Sequence, residues 1–561
     1  MSPSEQPKVL ILDGHARAAA ESLLSLPKSC VLHVAATEPD ALALVSRRIA
    51  RRLIQPAIVD ALREWLVALD SSEHYDLILC STEASLLALK SGALDPALRA
   101  KAVLPREAAL DIALDKQRTA EFAQSLGIKV PRGTLVTCIE DAPEPAYPVV
   151  VKPLRSKVVL ADGARSLDVQ LCRDARERRA ACRALLPFSP VVEQEYFRGR
   201  GIGIEMLFEH GRPRWCFAHE RIHELPVTGG ASSYRRAIEP PPELLTAATK
   251  LLAYLHWHGV AMVEFKLADD GDYRLLEINP RLWGSLPLAT AAGVNFPLGL
   301  LKIALDEPLE PQPHYRRGMR ARNLGADARW FVQAWKQRRH PLLVAPLRIR
   351  DFLALMLPLL GRERWDLFRW REPQLWWKLF RDALPRTERM QAARDARANW
   401  RRLRAHWRER HIRRVLVLCY GNICRSPVVA ALLRSGAGDV EIVSAGFHNQ
   451  AHRRVPDGWA NVVAQTTGVR LDEHRSRVVD DALIEWADLI IVMDAANWRM
   501  LARSHRHAIP KAVLLGVAAA GRGARAEIAD PYTLDETGMR PIAAMLQRCV
   551  DKLARQRSTS A

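Results

Sequence analysis

The sequence predicts a multidomain protein of the α/β and α+β classes. At 561 residues, the chain exceeds what one hydrophobic core normally supports. Short apolar runs alternate with predicted helices at the N-terminus and again after residue 412, and this alternation of strands and helices is typical of parallel sheets. Hydrophobic residues make up 48% and charged residues 26%, an ordinary globular composition. We expect four successive regions, covering residues 1–110, 111–313, 314–411 and 412–561.

The first two regions are predicted to be separate domains. The region of residues 1–110 begins with a buried strand at Lys8 to Asp13 and has a second apolar run at 75–80, as expected of a small doubly wound α/β domain. It contains no G-x-G-x-x-G motif, so no dinucleotide is assigned to it. The region of residues 111–313 mixes strands and helices and is predicted to be an α+β domain.

The third region, residues 314–411, is distinguished by its charge. From His314 to Arg414 there are 27 Lys and Arg against 9 Asp and Glu, a net of +18 out of +19 for the whole chain, together with 8 of the 15 tryptophans. We predict a basic, Trp-rich helical connector that ends in one long helix. Such helices brace domains, contact membrane surfaces or bind nucleic acid. We rank interdomain packing first, an anionic membrane surface second and nucleic acid last, because the Trp spacing is too irregular for a base-stacking array.

The sequence predicts a cytoplasmic protein, with a peripheral membrane location as the alternative. Nine scattered cysteines without framework spacing suit a reducing compartment. The N-terminal apolar stretch ends at once at Asp13 and Gly14, unlike a signal peptide. The nine-residue apolar segment from Phe352 to Leu360 is too short to cross a bilayer, which takes about 20 residues.

The fourth region opens on a loop with the spacing Cys-x5-Arg, between a short strand and a helix. Backbone N–H groups at a helix N-terminus, together with the helix dipole, suit a phosphate dianion. The same field favours the thiolate of Cys419 and makes it a nucleophile. Arg425 can grip two phosphate oxygens at once, and Gly421 lets the backbone curl where a Cβ would intrude. The loop therefore predicts hydrolysis of a phosphate monoester through a cysteinyl-phosphate.

From about Arg413 to the C-terminus, the chain resembles the low-molecular-weight protein tyrosine phosphatases. The resemblance rests on the loop Cys419, Tyr420, Gly421, Asn422, Ile423, Cys424, Arg425 and Ser426 and on the segments 443–446, 471–477, 487–494 and 530–532. It implies a Rossmann-like four-stranded parallel sheet, a phosphotyrosine protein or another phosphate monoester as substrate, and no cofactor. The roles it implies are Cys419 as nucleophile, Arg425 as oxyanion clamp, Asn422 and Ser426 as loop supports, and Asp530 as the acid.

Several alternatives for this region stay open. One carboxyl can serve as acid and then as base, but an Asp before Pro is commonly a turn residue, and this applies to Asp530. Cys424 can trap oxidised Cys419 as a reversible disulfide, or it simply packs. Arsenate reductases resemble this loop but carry an additional downstream cysteine pair, whereas here only Cys549 follows Cys424. A phosphate-binding module without turnover is the remaining alternative.

Aromatic side chains near the loop bear on substrate choice. An aromatic wall would favour phosphotyrosine, and Tyr420, Phe447 and Tyr532 are the candidates.

A second group of polar residues lies between residues 111 and 313. If Val263 to Lys266 and Leu276 to Asn279 are neighbouring strands, the oxygens of Glu264, Glu277 and Asn279 converge on one face. Hard oxygen ligands of this kind suit Mg²⁺ that carries nucleotide phosphates. Arg281 would be placed to neutralise a transferred phosphoryl group.

Over about residues 8–313, the chain resembles the ATP-grasp ligases. The order of 115–119, 149–153, 192–199 and the two carboxylate segments carries this resemblance. It implies a small Rossmann-like pre-ATP-grasp domain followed by an ATP-grasp domain, with ATP and Mg²⁺ as cofactors and an unknown carboxylate and amine as substrates. The ATP contacts it implies are Lys116 and Lys152 at the phosphates and Gln194, Glu195, Tyr196 and Phe197 at the adenine. Arg221 with Thr228 to Ser232 would hold the acceptor.

The sequence departs from the ATP-grasp pattern at two points. The loop from Leu154 to Lys157 lacks the glycine-rich run, and Gly201 lies where many members place an acidic residue for the ribose, a role for which Glu205 is a candidate substitute. The leading hypothesis is a bifunctional enzyme that joins an ATP-grasp carboxylate–amine ligase, or a kinase-like unit, to a tyrosine phosphatase. The alternative is a phosphatase regulated by a nucleotide-binding sensor that does not turn over.

Overall fold

The structure is a computed structural model that divides the chain into two compact units, Met1–Ala383 and Leu384–Ala561. Each unit has a hydrophobic core of its own. The structure describes residues 6–90, 94–139, 142–153, 157–160, 163–166, 169–338, 347–348, 351, 361–383, 388–436, 440–448, 450–519, 527–532 and 534–558.

Unit 1 opens with a four-stranded parallel sheet. Its elements are β1 (Lys8–Ile11), α1 (Arg17–Ser25), β2 (Val31–Ala36), β3 (Arg51–Ile54), α2 (Val59–Glu73), β4 (Leu77–Leu79), α3 (Glu83–Lys90), α4 (Pro96–Ala100) and α5 (Glu107–Leu114). The strand order is β3-β2-β1-β4, with every pair parallel. The central strands are buried and apolar, as in sheets covered on both faces, and α5 runs across the predicted boundary at residue 110.

The next portion of unit 1 contains two mainly antiparallel sheets. Its helices and strands are α6 (Lys116–Ser125), β5 (Gly133–Val136), β6 (Val149–Pro153), β7 (Lys157–Leu160), β8 (Gly163–Ser166), β9 (Gln170–Cys172), α7 (Ala175–Leu185), β10 (Val191–Glu195), β11 (Arg200–Glu209), β12 (Arg212–Leu225), β13 (Ala231–Ile238), α8 (Pro242–Tyr254), β14 (Gly259–Leu267), β15 (Tyr273–Asn279), α9 (Leu286–Ala292) and α10 (Phe296–Ala304). The smaller sheet has the order β5-β10-β6-β9, and the larger sheet begins β15-β14-β11-β12-β13. Strands β7 and β8 pair with each other.

The predicted connector, 314–411, is divided between the two units. Its first elements, β16 (Arg320–Arg322), α11 (Leu324–Lys336), β17 (Glu363–Trp365) and α12 (Pro373–Ala383), belong to unit 1, where β16 and β17 extend the larger sheet beyond β13. The net charge of the segment did not reveal that its first part packs into unit 1, because its carboxylates face inward. Glu363 is 2% exposed and accepts a 2.7 Å hydrogen bond from buried Arg322.

The rest of the predicted connector is the long basic helix, α13 (Glu388–Arg408), which belongs to unit 2. One face of α13 packs into the unit 2 core through Ala392, Ala393, Ala396, Trp400 and Trp407. The Asn399 amide donates to the Ala512 carbonyl at 3.0 Å, and the Trp407 indole donates to the Leu553 carbonyl at 3.0 Å. The helix is therefore an added layer on the C-terminal fold.

Unit 2 is built on a four-stranded parallel sheet, as predicted. Its further elements are β18 (Arg414–Cys419), α14 (Arg425–Gly436), β19 (Glu441–Gly446), α15 (Asp457–Thr467), α16 (Asp481–Trp486), β20 (Leu489–Val492), α17 (Ala495–Ser504), β21 (Ala512–Leu514), α18 (Leu515–Ala519) and α19 (Glu536–Ser558). The strand order is β19-β18-β20-β21. Since β18 is central, the loop at its carboxyl end lies where parallel sheets commonly bind ligands.

Within the described ranges, no single helix is long and apolar enough to span a membrane, although α9 and α10 meet the length and composition criteria as a pair bent by 88°. The apolar segment from Phe352 to Leu360 lies outside the described residues, as does the loop at 154–156.

Candidate functional site

The nucleophile loop of unit 2 connects β18 directly to α14. Cys419 is the last residue of β18, and Arg425 is the first residue of α14. The Cys419 side chain is buried, and its Sγ lies 3.0 Å from the Ser426 hydroxyl. A hydroxyl at this distance can donate to a thiolate, which stabilises the charged nucleophile.

Asn422 holds the loop from inside. Its backbone is left-handed, with φ of 50°, and its side-chain amide donates to the hydroxyls of Ser426 and Ser444 at 2.9 and 3.0 Å. Its side-chain oxygen accepts from the Arg477 backbone N–H at 2.8 Å. These contacts put Asn422 and Ser426 in the supporting positions that the resemblance implies.

Glycine is required more strictly beside the loop than at the predicted Gly421. A Cβ on Gly421 would lie 3.3 Å from Ile423 Cγ1, which is tight but adjustable. A Cβ on Gly446 would lie 2.7 Å from the Tyr420 carbonyl oxygen, which is backbone and cannot yield locally. Gly446 at the end of β19 therefore permits the close approach of the loop.

Arg425 joins the loop to two distant carboxylates. The guanidinium is 2% exposed, and its two terminal nitrogens donate to Asp494 at 2.5 Å and Asp530 at 2.6 Å. Burial opposes its charge, but the carboxylates of Asp530 and Asp494, together with Cys419, raise the pKa of Arg425 above its usual value. The arginine is therefore a fixed positive charge at the loop.

Asp494 lies in one of the segments that carry the phosphatase resemblance, but no role was predicted for it. It also caps α17 by accepting from the Asn497 backbone N–H at 2.7 Å. Because Asp494 and Arg425 are far apart in the chain, no local pattern could have revealed their contact.

The remaining candidates near the loop are one cysteine and three aromatic residues. Cys424 is buried, its carbonyl accepts from the Trp459 indole at 3.0 Å, and burial raises the pKa of its thiol.

The aromatic candidates differ in exposure. Tyr420 contacts His448 edge to face, with ring centroids 5.6 Å apart. Tyr532 is 56% exposed, and its backbone N–H donates to Asp530 at 3.2 Å. The exposed ring of Tyr532 thus stands beside the candidate acid, whereas Phe447 packs against the core.

In unit 1, a cavity of about 490 Å³ is lined by residues of both antiparallel sheets. All of the predicted nucleotide and metal residues line it: Lys116, Lys152, Gln194, Glu195, Tyr196, Phe197, Glu264, Glu277, Asn279 and Arg281. Arg221 and the segment from Thr228 to Ser232, predicted to hold the acceptor, line it as well. Sequence-distant residues are therefore brought together in one cavity.

The carboxylates lie opposite each other on β14 and β15, where Glu264 pairs in register with Glu277. The Asn279 amide bridges them, donating to Glu264 at 3.0 Å and to Glu277 at 3.1 Å. Burial raises the pKa of Glu264, whereas Lys116 and Lys152 outweigh burial and lower the pKa of Glu277.

This donor set fits a hard divalent cation. Two carboxylates and an amide oxygen are ligands that Mg²⁺ takes, and both carboxylates already accept hydrogen bonds from the same neutral donor, the amide N–H₂ of Asn279. Among the described residues, no group of three or more His, Cys, Asp or Glu could hold a metal ion. Any cation here would therefore need Asn279 and nucleotide oxygens to complete its coordination.

Two lysines supply positive charge to the cavity. Lys116 is the first residue of α6, whose N-cap Asp115 accepts from the backbone N–H of Gln117 at 2.9 Å. Lys152 lies on β6, and burial, followed by repulsion from Lys116, lowers its pKa to about 8.

The segment from Gln194 to Phe197 comprises the last two residues of β10 and the two residues that follow the strand. Glu195 accepts from Arg132 at 2.9 Å and from Arg274 at 3.4 Å, while the Arg274 guanidinium lies 4.5 Å from the centroid of the Phe197 ring. These contacts fix the segment against β15 at one wall of the cavity.

Two glycines of β11 clear the floor of the cavity. Register places Gly203 between Glu264 on β14 and His219 on β12. A Cβ on Gly203 would lie 2.3 Å from His219 Cε1, and a Cβ on Gly201 would lie 2.8 Å from Arg221 Cδ. The glycines therefore let His219 and Arg221 extend across β11, and Arg221 reaches Glu264 in an ion pair. This gives a physical reason for Gly201 at a position where an acidic residue was expected.

Glu205 does not serve as the ribose residue that the sequence offered, and that expectation is wrong. Its side chain is fully buried, accepts from the Ser285 hydroxyl at 2.8 Å and lies 3.0 Å from His219 Nδ1. Glu205 therefore supports His219 from beneath the cavity floor.

Sequence reasoning also missed Arg17, which lines the cavity from α1. Asp366 accepts from Arg17 at 2.8 Å and from buried Arg235 at 2.6 Å, so a residue of the predicted connector positions Arg17. Gly284 leaves room for it, since a Cβ there would lie 3.1 Å from Arg17 Nη2. No local pattern could have revealed a contact between residues so far apart in the sequence.

Comparison with known proteins agrees with both geometries. Residues 414–560 match the family described as low molecular weight phosphotyrosine protein phosphatase, and residues 187–326 match the family described as ATP-grasp in the biosynthetic pathway with Ter operon. The probable low molecular weight protein-tyrosine-phosphatase EpsP of Ralstonia nicotianae is 35% identical over 140 residues, which is 25% of this chain and 92% of that protein.

Two further relatives bear on the two units. The protein-arginine-phosphatase of Geobacillus stearothermophilus is 30% identical over 147 residues, 26% of this chain and 97% of that protein. The carbamoyl phosphate synthase large chain of Thermomicrobium roseum is 30% identical over 222 residues, 38% of this chain but only 20% of that protein.

A Cys-x5-Arg loop between a parallel strand and a helix, with carboxylates at its arginine, defines a phosphatase of the cysteine-nucleophile class. Through its C-terminal region, the chain belongs to the low molecular weight phosphotyrosine protein phosphatase family. Its N-terminal region is an ATP-grasp unit. The chain therefore joins a region that matches an ATP-grasp family to a low molecular weight phosphatase domain, the fusion that the sequence predicted.

Proposed function

We propose that unit 2 hydrolyses phosphotyrosine in a protein substrate through a cysteinyl-phosphate on Cys419. The observation that carries this proposal is the contact between Arg425 and Asp530 at 2.6 Å. It brings the loop with the nucleophile and the segment with the acid to the same place, although the two segments are far apart in the sequence.

The chemistry follows from this arrangement. The Cys419 thiolate attacks phosphorus, Arg425 exchanges its contact with Asp530 for one with the equatorial oxygens, and Asp530 in its protonated form gives its proton to the leaving phenolate. In the second step, Asp530 takes a proton from the water that attacks the cysteinyl-phosphate, so that phosphate leaves and the thiolate is regenerated. Ser426 donates to the thiolate in both its attacking and leaving roles.

Cys419→Ser tests the enzyme interpretation against a phosphate-binding module. The full chain is assayed with p-nitrophenyl phosphate and, separately, for protection from thermal unfolding by vanadate. We expect hydrolysis to fall below detection in the variant while oxyanion binding is retained. A natural-sequence protein that binds vanadate but does not hydrolyse the ester would refute the enzyme proposal.

One comparison supports phosphoarginine as a second candidate substrate, since the alignment with a protein-arginine-phosphatase covers 97% of that relative. Phosphoarginine carries its phosphoryl group on nitrogen and has no aromatic ring, whereas the exposed Tyr532 ring offers a stacking surface for phosphotyrosine. Matched phosphotyrosine and phosphoarginine peptides should differ in kcat/KM in favour of phosphotyrosine. Tyr532→Ala should remove most of that preference, and a preference for phosphoarginine would transfer the proposal to that substrate.

For unit 1, we propose an ATP- and Mg²⁺-dependent carboxylate–amine ligase. The supporting observation is that one cavity gathers two lysines, two facing carboxylates and Asn279. Glu264, Glu277 and Asn279 would hold Mg²⁺, which would screen the nucleotide phosphates when bound. Lys116 and Lys152 would bind the phosphates, and the segment from Gln194 to Phe197 would hold the adenine.

The acceptor half of the cavity supports ligation over simple ATP storage. Arg17, Arg221 and Arg281 line it. Asp366 and Glu264 already neutralise part of the charge of Arg17 and Arg221, but guanidinium groups suit a carboxylate and the acyl phosphate made from it. An incoming amine would then displace phosphate and form the amide.

The alternative sensor is tested by ATP turnover. The full chain is incubated with Mg²⁺-ATP and a panel of carboxylic acids, amino acids and amines, and ADP is measured. ADP formation that depends on one carboxylate and one amine supports the ligase, and its loss in Glu277→Gln assigns it to this cavity. ATP binding without any acid-dependent ADP formation favours the sensor.

A cytoplasmic location remains our proposal. It is supported by the nine cysteines, which are scattered along the sequence without framework spacing, as expected in a reducing compartment.

A further inference from the structure

One surface of unit 1 carries an aromatic cluster that neither proposed site uses. We call it the aromatic rim, and it consists of Trp365, Phe368, Trp370, Trp376, Trp377 and Phe380. The rings form a continuous series of contacts, with centroids 5.0 Å apart for Phe368 and Trp370, 5.8 Å for Phe368 and Trp376, and 6.4 Å for Trp376 and Trp377. Trp370 is 86% exposed and Trp377 is 57% exposed. Large rings this exposed are costly unless something covers them.

Charges on the same segment are sorted by side. Three carboxylates point inward: Glu363 pairs with Arg322, Asp366 pairs with Arg235, and Glu372 accepts from the Ser46 hydroxyl at 3.1 Å. Within 361–383, the remaining carboxylate, Asp382, pairs with Lys378 at 3.0 Å. The arginines Arg362, Arg364, Arg371 and Arg381 are exposed. The outer side of the segment is therefore basic, although the segment as a whole is mixed.

A cleft of about 230 Å³ opens beside the most exposed ring. It is lined by Ala291, Arg316, Arg364, Phe368, Arg369 and Trp370. Arg369 donates to Glu21 at 2.8 Å and Arg316 donates to the Ala291 carbonyl at 2.7 Å, so Arg364 and the remaining N–H groups of Arg316 can bind a phosphate in this cleft. The cleft is too small for a folded partner but has room for a phosphate-bearing headgroup.

We propose that the aromatic rim and its arginines dock unit 1 on an anionic phospholipid membrane. A bilayer surface presents negative phosphates and an apolar layer in one plane, which matches exposed tryptophans set among arginines. Indole rings favour this interface because they are largely apolar and carry one N–H donor. The inward carboxylates and the buried Leu367 and Leu375 pack within unit 1, so the outer side of the segment is left for a different partner.

Nucleic acid fits the rim less well. Stacking on single strands requires several rings presented to successive bases, but the Trp376 ring stacks on Trp365 and Phe380 within the rim. Only Trp370 and Trp377 of the rim are more than half exposed, which suits insertion into a headgroup layer.

Vesicle sedimentation of the full chain tests the proposal. Vesicles of phosphatidylcholine alone are compared with vesicles that also contain phosphatidylglycerol, at low and high salt. We expect binding to the anionic vesicles only, weakened by salt because the phosphate contacts are electrostatic. Trp370→Ala with Trp377→Ala, and separately Arg316→Glu with Arg364→Glu, should each weaken binding about tenfold or more.

Trp335→Ala is the matched control, since Trp335 is 60% exposed but lies on α11 outside the rim. It should leave vesicle binding unchanged, and phosphatase activity should be unchanged in all variants. Equal binding to neutral and anionic vesicles, equal loss in the control, or no binding by the natural sequence would overturn the proposal. Rim-dependent binding to a single-stranded oligonucleotide in place of vesicles, or a rim-dependent dimer measured by light scattering, would overturn it in favour of those partners.

Discussion

The nucleophile loop of unit 2 and the carboxylate site of unit 1 are assembled in different ways. Cys419 and Arg425 lie on one loop between a strand and the helix that follows it, so local backbone geometry places both. Glu264 and Glu277 meet only because β14 and β15 pair in one register, and Lys152 reaches them from the other sheet. A local loop is specified by a short sequence, whereas a site between sheets depends on many pairings at once.

Nevertheless, the phosphatase site also needs a residue that is distant in the sequence, and the unit 1 cavity also needs residues that are close together on one strand. The phosphatase loop depends on Asp530, which reaches it from a separate segment. The cavity of unit 1 depends on Gly201 and Gly203, two positions close together on one strand. Substitutions at these exceptional positions show how far the contrast holds.

The largest effect is expected for Asp530→Asn, which keeps the shape of the side chain but removes its proton. With phenyl phosphate, whose leaving group needs a proton, kcat/KM should fall about 10²–10⁴-fold. With p-nitrophenyl phosphate, the loss should be much smaller, because its phenolate leaves without protonation. A series of aryl phosphates measures this, with exposed Asp472→Asn as the control. Equal slowing across the series would mean that the distant residue is not the acid.

Asp366→Ala probes a long-range contact of unit 1. The change leaves buried Arg235 and partly buried Arg17 without their carboxylate, which typically costs about 3–5 kcal/mol. Calorimetry should show a lower unfolding transition for unit 1, while the temperature at which phosphatase activity is lost stays constant. Asp269→Ala, at an ion pair with Arg200 in which both side chains are exposed, should change neither. If Asp366→Ala lowered both transitions equally, the assignment of residues 361–383 to unit 1 would be contradicted.

Gly203→Ala tests whether a local glycine shapes the unit 1 cavity. The new Cβ would collide with the His219 ring, and such overpacking costs about 1–3 kcal/mol. Weaker binding of Mg²⁺-ATP should accompany the loss, as measured by titration calorimetry. Adding His219→Ala removes the colliding ring, so the double variant should regain stability relative to Gly203→Ala. Additive destabilisation in the double variant would show that the ring is not the obstacle.

The smallest effect is a pH dependence set by Lys152. Because burial and Lys116 lower its pKa to about 8, Lys152 is charged below this pH and loses its charge as the pH rises through it. The KM for ATP should therefore rise about tenfold between pH 7 and pH 9.5, since one contact to phosphate is lost. Lys152→Arg keeps its charge over this range and should abolish the rise. A rise that persists in the arginine variant would have to come from another group.

The contrast also explains what the sequence could predict. The strand, loop and helix around Cys419, the four-stranded parallel sheet and the carboxylate strands of unit 1 all follow from local pattern, and the structure contains them. The predicted connector, by contrast, is divided between unit 1 and unit 2. Contacts such as those of Asp366 with Arg17 and Arg235 attach its first part to unit 1, and composition does not reveal pairs of residues this far apart in the sequence. The same holds for Asp494, whose contact with Arg425 depends on how β18 and β20 lie side by side.

The roles of Gly201 and Gly203 could not be predicted for a related reason. A glycine in a strand indicates a close approach, but only the register shows that His219 and Arg221 are the groups that approach. Glu205 was misjudged on the same account, since alternation along β11 puts it on the cavity side, whereas Ser285 and His219 cover it completely.

Trapping the covalent intermediate is the most direct test that Cys419 is the nucleophile of unit 2. The full chain is mixed with p-nitrophenyl phosphate, quenched in acid during turnover and digested, and its peptides are analysed by mass spectrometry. We predict one phosphate on the peptide that contains Cys419, increased in Asp530→Asn because hydrolysis of the intermediate loses its base, and absent in Cys419→Ser. Turnover without phosphate on that peptide, or with phosphate on another residue, would contradict the account.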